Sequence, residues 1–225
     1  MSENNYRGAG YPLWDWPVRL IHWGIALLIP ASWWTAEEGY LDVHQWLGLS
    51  MLVAVLTRVV WGLIGSPQAR FTDFLRGPKA VLAYFRGGEP DTPGHNPAGG
   101  WSAFSLWVLL VAQALTGTVN SDDVFFTGPF HYVLDSALID KLAGLHEPIF
   151  MLLLALIALH LIVVLYYELR LSKRLLKPML RGRSEGREGT GPAQPLYKAV
   201  LVALILAGVL WMLLEAAPAP PPSYW

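Results

Sequence analysis

Apolar residues in this chain fall into long, nearly uninterrupted blocks, separated by short polar stretches. Five blocks stand out, at about 18–36, 43–64, 102–119, 142–167 and 197–214. A helix crosses a bilayer core with roughly 20 mostly apolar residues, within a range of about 17–25. The pattern therefore predicts five transmembrane helices, the first, third and fifth near the short limit. The fourth is long enough to tilt or protrude, and Pro148 near its start predicts a kink, because proline removes a backbone donor.

The polar stretches set an orientation. Basic residues concentrate in two of them: Arg70, Arg76, Lys79 and Arg86 after the second block, and seven Lys or Arg side chains over 170–187 after the fourth. The other connections are acidic, with Glu37, Glu38 and Asp42 in one, and Asp122, Asp123, Asp135 and Asp140 against Lys141 in the other. The positive-inside rule then places the N-terminus in the cytoplasm and, after five spans, the C-terminus outside. No basic–apolar–small cleavage pattern precedes the first block, so it reads as a retained helix. The tail, 217–225, is Pro-rich and reads as extended.

Composition agrees with a membrane protein. Of 225 residues, 54% are hydrophobic and only 15% charged, with a mean hydropathy of +0.38. A net charge of −1 gives no general attraction to nucleic acid. With no cysteine, disulfides, thiolate metal sites and covalent haem attachment are excluded. Several of the eleven tryptophans, such as Trp14, Trp16, Trp33, Trp34 and Trp101, lie near block ends, as in an interfacial belt.

Histidines supply the candidate chemistry. His146 and His160 share the fourth block, fourteen residues apart. On a helix that is close to four turns, about 21 Å along the axis and about 40° around it. His22 lies early in the first block and His44 at the start of the second. Alternating helix directions give two pairs at two depths: His44 with His146 on the outer side, His22 with His160 on the inner. A single histidine in a membrane helix is often only a polar contact between helices. Two depth-matched pairs point instead to bis-imidazole ligation of two haem irons. Both axial positions are then filled, which favours electron transfer over oxygen chemistry. Gly24 and Gly48, close to His22 and His44, let a flat ring approach a helix, or serve ordinary helix contact.

The chain resembles the bacterial cytochrome b561 family and the related b-type cytochrome subunit of nickel–iron hydrogenases. The resemblance runs over about residues 11–175. It is carried by Trp14-Asp-Trp-Pro-Val-Arg19-Leu-Ile-His22-Trp23, His44-Gln-Trp-Leu-Gly48, Arg58-Val-Val-Trp61-Gly62, Gly94-His95-Asn96-Pro97-Ala-Gly-Gly100, Thr116-Gly117, and the two histidines of the fourth block. It implies an all-α membrane protein: a four-helix bundle holding two haem b groups, with His22, His44, His146 and His160 as axial ligands. The fifth helix departs from that pattern. The expected division is a bundle over 1–175, a basic cytoplasmic linker over 176–196, an extra transmembrane helix over 197–215 and a Pro-rich tail over 216–225.

Other residues carry paired readings. Arg19 and Arg58, at inner depth, suit haem propionates or act as positive-inside anchors. His95 and Asn96 suit a bound quinone, with Asn96 alternatively capping the third helix. His131 reads as an ordinary loop residue. Glu147 either orients His146 or faces the surface, and the basic run holds anionic lipid or marks topology. The expected function is electron transfer across the bacterial inner membrane, between the quinone pool and a periplasmic redox protein such as a c-type cytochrome. Its acidic outer face would steer a cationic partner. Alternatives are a membrane anchor in a hydrogenase-like complex, a superoxide:ubiquinone oxidoreductase, whose anionic substrate this outer face disfavours, and a haem-free transporter. A homodimer is compatible with each.

Overall fold

The computed structural model describes residues 10–88, 94–122, 126–183 and 187–218. Among these the chain is helical, with no strand; an isolated bridge joins Ser121 and Thr127. Asp123 and the tail from 219 onward lie outside the described residues.

The first helix, α1 (Trp16–Glu37), starts where Asp15 accepts a bond from the Val18 amide at 2.9 Å, satisfying one of the free donors of the first turn. It stops at Gly39, whose φ of 75° suits glycine and turns the chain. The Tyr40 amide closes that turn on the Thr35 carbonyl at 2.8 Å. A tight hairpin results, and α2 (Leu41–Ile64) runs back along α1. A short 3₁₀ turn, α3 (Phe71–Phe74) and α4 (Pro78–Phe85) follow. The long α5 (Pro97–Val119) begins at Asn96, whose side chain accepts from the Gly99 amide. After α6 (Ser136–Ala143), α7 (His146–Leu169) continues the bundle. Last come α8 (Leu176–Arg181) and α9 (Leu196–Ala216).

Pro148 follows a two-residue break, Gly144-Leu145, between α6 and α7. The helix starts at His146, so Pro148 falls in its first turn, where a backbone N–H lacks an intrahelical partner anyway.

Four helical stretches are long and apolar enough to cross a membrane: Leu41–Ile64, Pro97–Val119, Ser136–Leu169 and Leu196–Ala216. Five were expected. The difference is α1, which has the length at 22 residues but is diluted by Arg19, His22, Pro30 and Ser32. Its close backbone partner is α2.

Packing proceeds in chain order, α1 on α2, α2 on α5 and α5 on α7, while α9 docks on α2 and touches α1. Mid-bundle, Ile25, Met51, Val55, Leu110 and Leu153 form a core contributed by α1, α2, α5 and α7. A second core closes one end, where Leu13, Trp14, Val18, Trp61 and Ala69 meet Ala199 of α9. The stretch leading into α9 is fastened to this end. The Gly189 amide donates to Tyr11 O at 3.0 Å, and the Gln194 amide to Ser66 Oγ at 2.9 Å.

Candidate functional site

At one end of the bundle, α2 and α7 each carry a histidine in the first turn, His44 and His146. The His44 and His146 rings face each other edge-on, with centroids 6.3 Å apart. His44 Nδ1 lies 2.8 Å from the Ser32 carbonyl of α1. A carbonyl only accepts, so Nδ1 carries the proton and Nε2 keeps its lone pair. The same holds for His146 by a longer argument. Its Nδ1 is 3.1 Å from Thr116 Oγ1, which itself lies 2.9 Å from the Ala112 carbonyl and 3.0 Å from that of Gln113. The single hydroxyl proton goes to a carbonyl, so Nδ1 is the donor to Thr116. His146 Nε2 then accepts from the Gln113 amide at 3.1 Å. Gly117 makes room for this ring, since a Cβ there would come within 2.9 Å of His146 Cε1.

These residues fit an axially ligated ring cofactor. An imidazole nitrogen lies about 1.1 Å from its ring centre and about 2 Å from a metal it binds, so two imidazoles on one ion have centres about 6 Å apart. The observed 6.3 Å agrees. A bare structural cation usually takes four protein ligands. Among the described residues no three His, Cys, Asp or Glu side chains converge, whereas haem brings four donors of its own and needs only a pair. Gly48, one turn from His44, and Gly24, near His22, face open space: a Cβ at either meets nothing within 4 Å. Protein packing therefore does not require glycine there.

Toward the other end, His22 of α1, His160 of α7 and His95 in the loop before α5 are close enough to feel each other's charge. His22 Nδ1 is buried without a hydrogen-bond partner. His95 sits between Trp14 and Phe74, at centroid distances of 4.8 and 4.9 Å. Burial, then the positive charge of Arg58, pushes its imidazole down to about 3, so it is neutral at physiological pH. Arg58 is itself 3% exposed. One nitrogen donates to the Ala69 carbonyl at 3.1 Å, the guanidinium lies 4.1 Å from the centre of the Trp107 ring, and Nη1 has no partner. A buried unpaired guanidinium nitrogen fits a cofactor carboxylate.

Arg19 is placed differently. It lies over the Trp16 ring, and its donors engage the carbonyls of Met179 and Leu180 at the end of α8. Both ends of the Asn96 amide are also occupied. The oxygen caps α5, and the nitrogen donates to the hydroxyls of Tyr84 at 3.1 Å and Tyr167 at 3.4 Å, which bond each other. Burial and that tyrosine pairing push Tyr84 up to about 12. His131 donates to the Val119 carbonyl and takes part in neither cluster.

Sequence reading did not assign roles to Gln113, Thr116 or Asp15. One signal was available: polar residues inside an otherwise apolar helix are costly unless they have a task. Asp15 is 5% exposed and accepts from Trp61 Nε1 at 2.9 Å and from Ser66 Oγ, besides capping α1.

Two facing imidazoles with both Nδ1 protons tied back into the protein, carried on helices apolar enough to cross a bilayer, suit a membrane-embedded redox protein of the b-type cytochrome class. The family model for prokaryotic cytochrome b561 matches residues 13–182, and the chain belongs to that family. Membership makes it a membrane b-type cytochrome of electron transfer and implies b-type haem. No curated protein and no solved structure matches the chain.

Proposed function

We propose that the chain carries electrons across the bacterial inner membrane through two haem b groups, linking the quinone pool to a periplasmic redox protein such as a c-type cytochrome. His44 and His146 hold the outer group and His22 and His160 the inner one. The haem iron supplies reversible one-electron chemistry. The observation that carries the reading is the His44–His146 pair, two rings from separate helices with both Nδ1 protons tied back into the protein. In this reading α1 crosses the membrane with α2 as its partner, and the N-terminus is cytoplasmic.

The chain's own residues then have distinct tasks. Ser32 and Thr116 orient the outer rings, and Gly117 gives one of them space. Arg58 offers a buried cation to a propionate at the inner site. His95 and Asn96 flank that site, and an apolar groove of about 540 Å³ lined by Pro78, Val81, Leu82, Phe85 and Trp101 suits a lipid-soluble quinone arriving at the same end. Acidic side chains of the outer loops, including Glu37, Asp42, Asp135 and Asp140, are exposed and favour a cationic partner.

Haem content with a reduced-minus-oxidised absorption spectrum tests this. Two low-spin b haems per chain are expected, with one lost in His44→Ala and one in His22→Ala. A well-folded preparation without haem refutes it.

A further inference from the structure

The outer pair and His22 of the inner site differ in what holds the second ring nitrogen. In the outer pair both Nδ1 protons are donated, by His44 to the Ser32 carbonyl at 2.8 Å and by His146 to Thr116 Oγ1 at 3.1 Å. Thr116, 5% exposed, passes the chain of bonds on to its own helix backbone at 2.9 Å. At the inner site the His22 Nδ1 is buried and has no acceptor.

This asymmetry has an electronic meaning. Donating the Nδ1 proton raises the basicity of Nε2, the nitrogen left to bind iron. A more basic axial ligand stabilises the ferric over the ferrous state and lowers the reduction potential. Net charge does not oppose the effect. Arg58 and Asp15 bring opposite charges to the inner end, and exposed Glu147 and Asp42 add only negative charge near the outer one.

We infer that the His44–His146 site holds the lower-potential haem, and that Thr116 is a positioning residue that sets the difference through His146. The inference rests on the two-haem reading above.

Redox titration of the purified full chain, followed by visible absorption, tests it. In His22→Ala the remaining haem should titrate at the lower of the two wild-type potentials, and in His44→Ala at the higher. Thr116→Val should raise the lower potential by about a tenfold change in the ferric–ferrous equilibrium, about 59 mV for one electron, and leave the higher one in place. Thr116→Ser, which keeps the hydroxyl, should restore the wild-type value. The inference is overturned if the order in the histidine variants is reversed, or if Thr116→Val moves the higher potential or neither. Should Thr116→Val fail to retain haem, the histidine variants still decide the order. Fewer than two haems in the wild-type chain overturns the two-haem reading itself, whereas two haems in the opposite order overturn this inference alone.

Discussion

Replacing Asp15 by alanine removes one buried carboxylate that serves three groups. It caps α1 through the Val18 amide at 2.9 Å, accepts the Trp61 indole proton at 2.9 Å and takes the Ser66 hydroxyl. Loss of an N-cap costs about 1 kcal/mol. Hydrogen bonds to a charged group contribute about 1.5–3 kcal/mol each, and a buried donor left unpaired forfeits a similar amount. Not all of these losses add, because water and small shifts recover part of them, so Asp15→Ala should destabilise by about 4 kcal/mol. That would be among the larger effects of a single substitution. Asp15→Asn keeps the capping oxygen and should cost less than half as much. The assay is denaturant unfolding in detergent micelles followed by far-ultraviolet circular dichroism. A cycle with Trp61→Phe, whose ring is fully buried in the wild type, should give a coupling of about 1–3 kcal/mol. Asp15→Ala within about 0.5 kcal/mol of wild type, the range of an ordinary surface change, would refute the reasoning. Because His22 lies two turns into the helix that Asp15 starts, the same variant should loosen the inner site before the outer one.

Other expectations follow from the same contacts. The folded His95 value of about 3 lies below the ordinary 6.5, so the unfolded chain binds more protons between them. Its contribution to stability is complete above about pH 6.5 and is lost as pH falls toward 3, and His95→Gln should flatten that part of a melting-temperature profile. Gly117→Val would press on His146, from which even a Cβ stands only 2.9 Å away, and should remove one haem per chain with helical content intact; unchanged stoichiometry argues against the assignment. Gly189→Val drives a side chain into the Pro12 carbonyl and the Gln68 amide and should lift the stretch before α9, read as faster limited proteolysis there. Electron exchange with a cationic partner protein should slow as ionic strength rises, and salt-independent rates would remove the role given to the acidic loops.

Much of this architecture was legible because membrane helices advertise themselves. Uninterrupted apolar blocks located α2, α5, α7 and α9 to within a few residues, and the fourteen-residue spacing put His146 and His160 close to four turns apart on one helix. Alternating directions brought His44 beside His146, as the ring contact shows. Where local chemistry serves tertiary contacts, the reading fell short. Arg19 looks like any basic residue at a helix start, yet its donors close the end of α8, some 160 residues away. Asn96 had two readings, and the cap is the one its oxygen makes. The fourth block was read as one helix from 142, whereas the chain breaks at Gly144-Leu145 and α7 starts at His146, two residues before Pro148. Thr116 was hidden for another reason: mid-helix threonines usually bond their own backbone, and nothing local reveals that an imidazole also leans on the hydroxyl.

The core that closes the Arg58 end of the bundle joins Leu13 and Trp14 to Ala199. These residues leave the ribosome nearly a whole chain length apart. During synthesis α1 therefore forms with this end unsealed, and Trp14 waits until the start of α9 emerges before its pocket is complete. Assembly is bound to finish from the back. A chain that ends before α9 already carries His22, His44, His146 and His160, yet lacks Ala199, the residue that completes the core around Leu13 and Trp14.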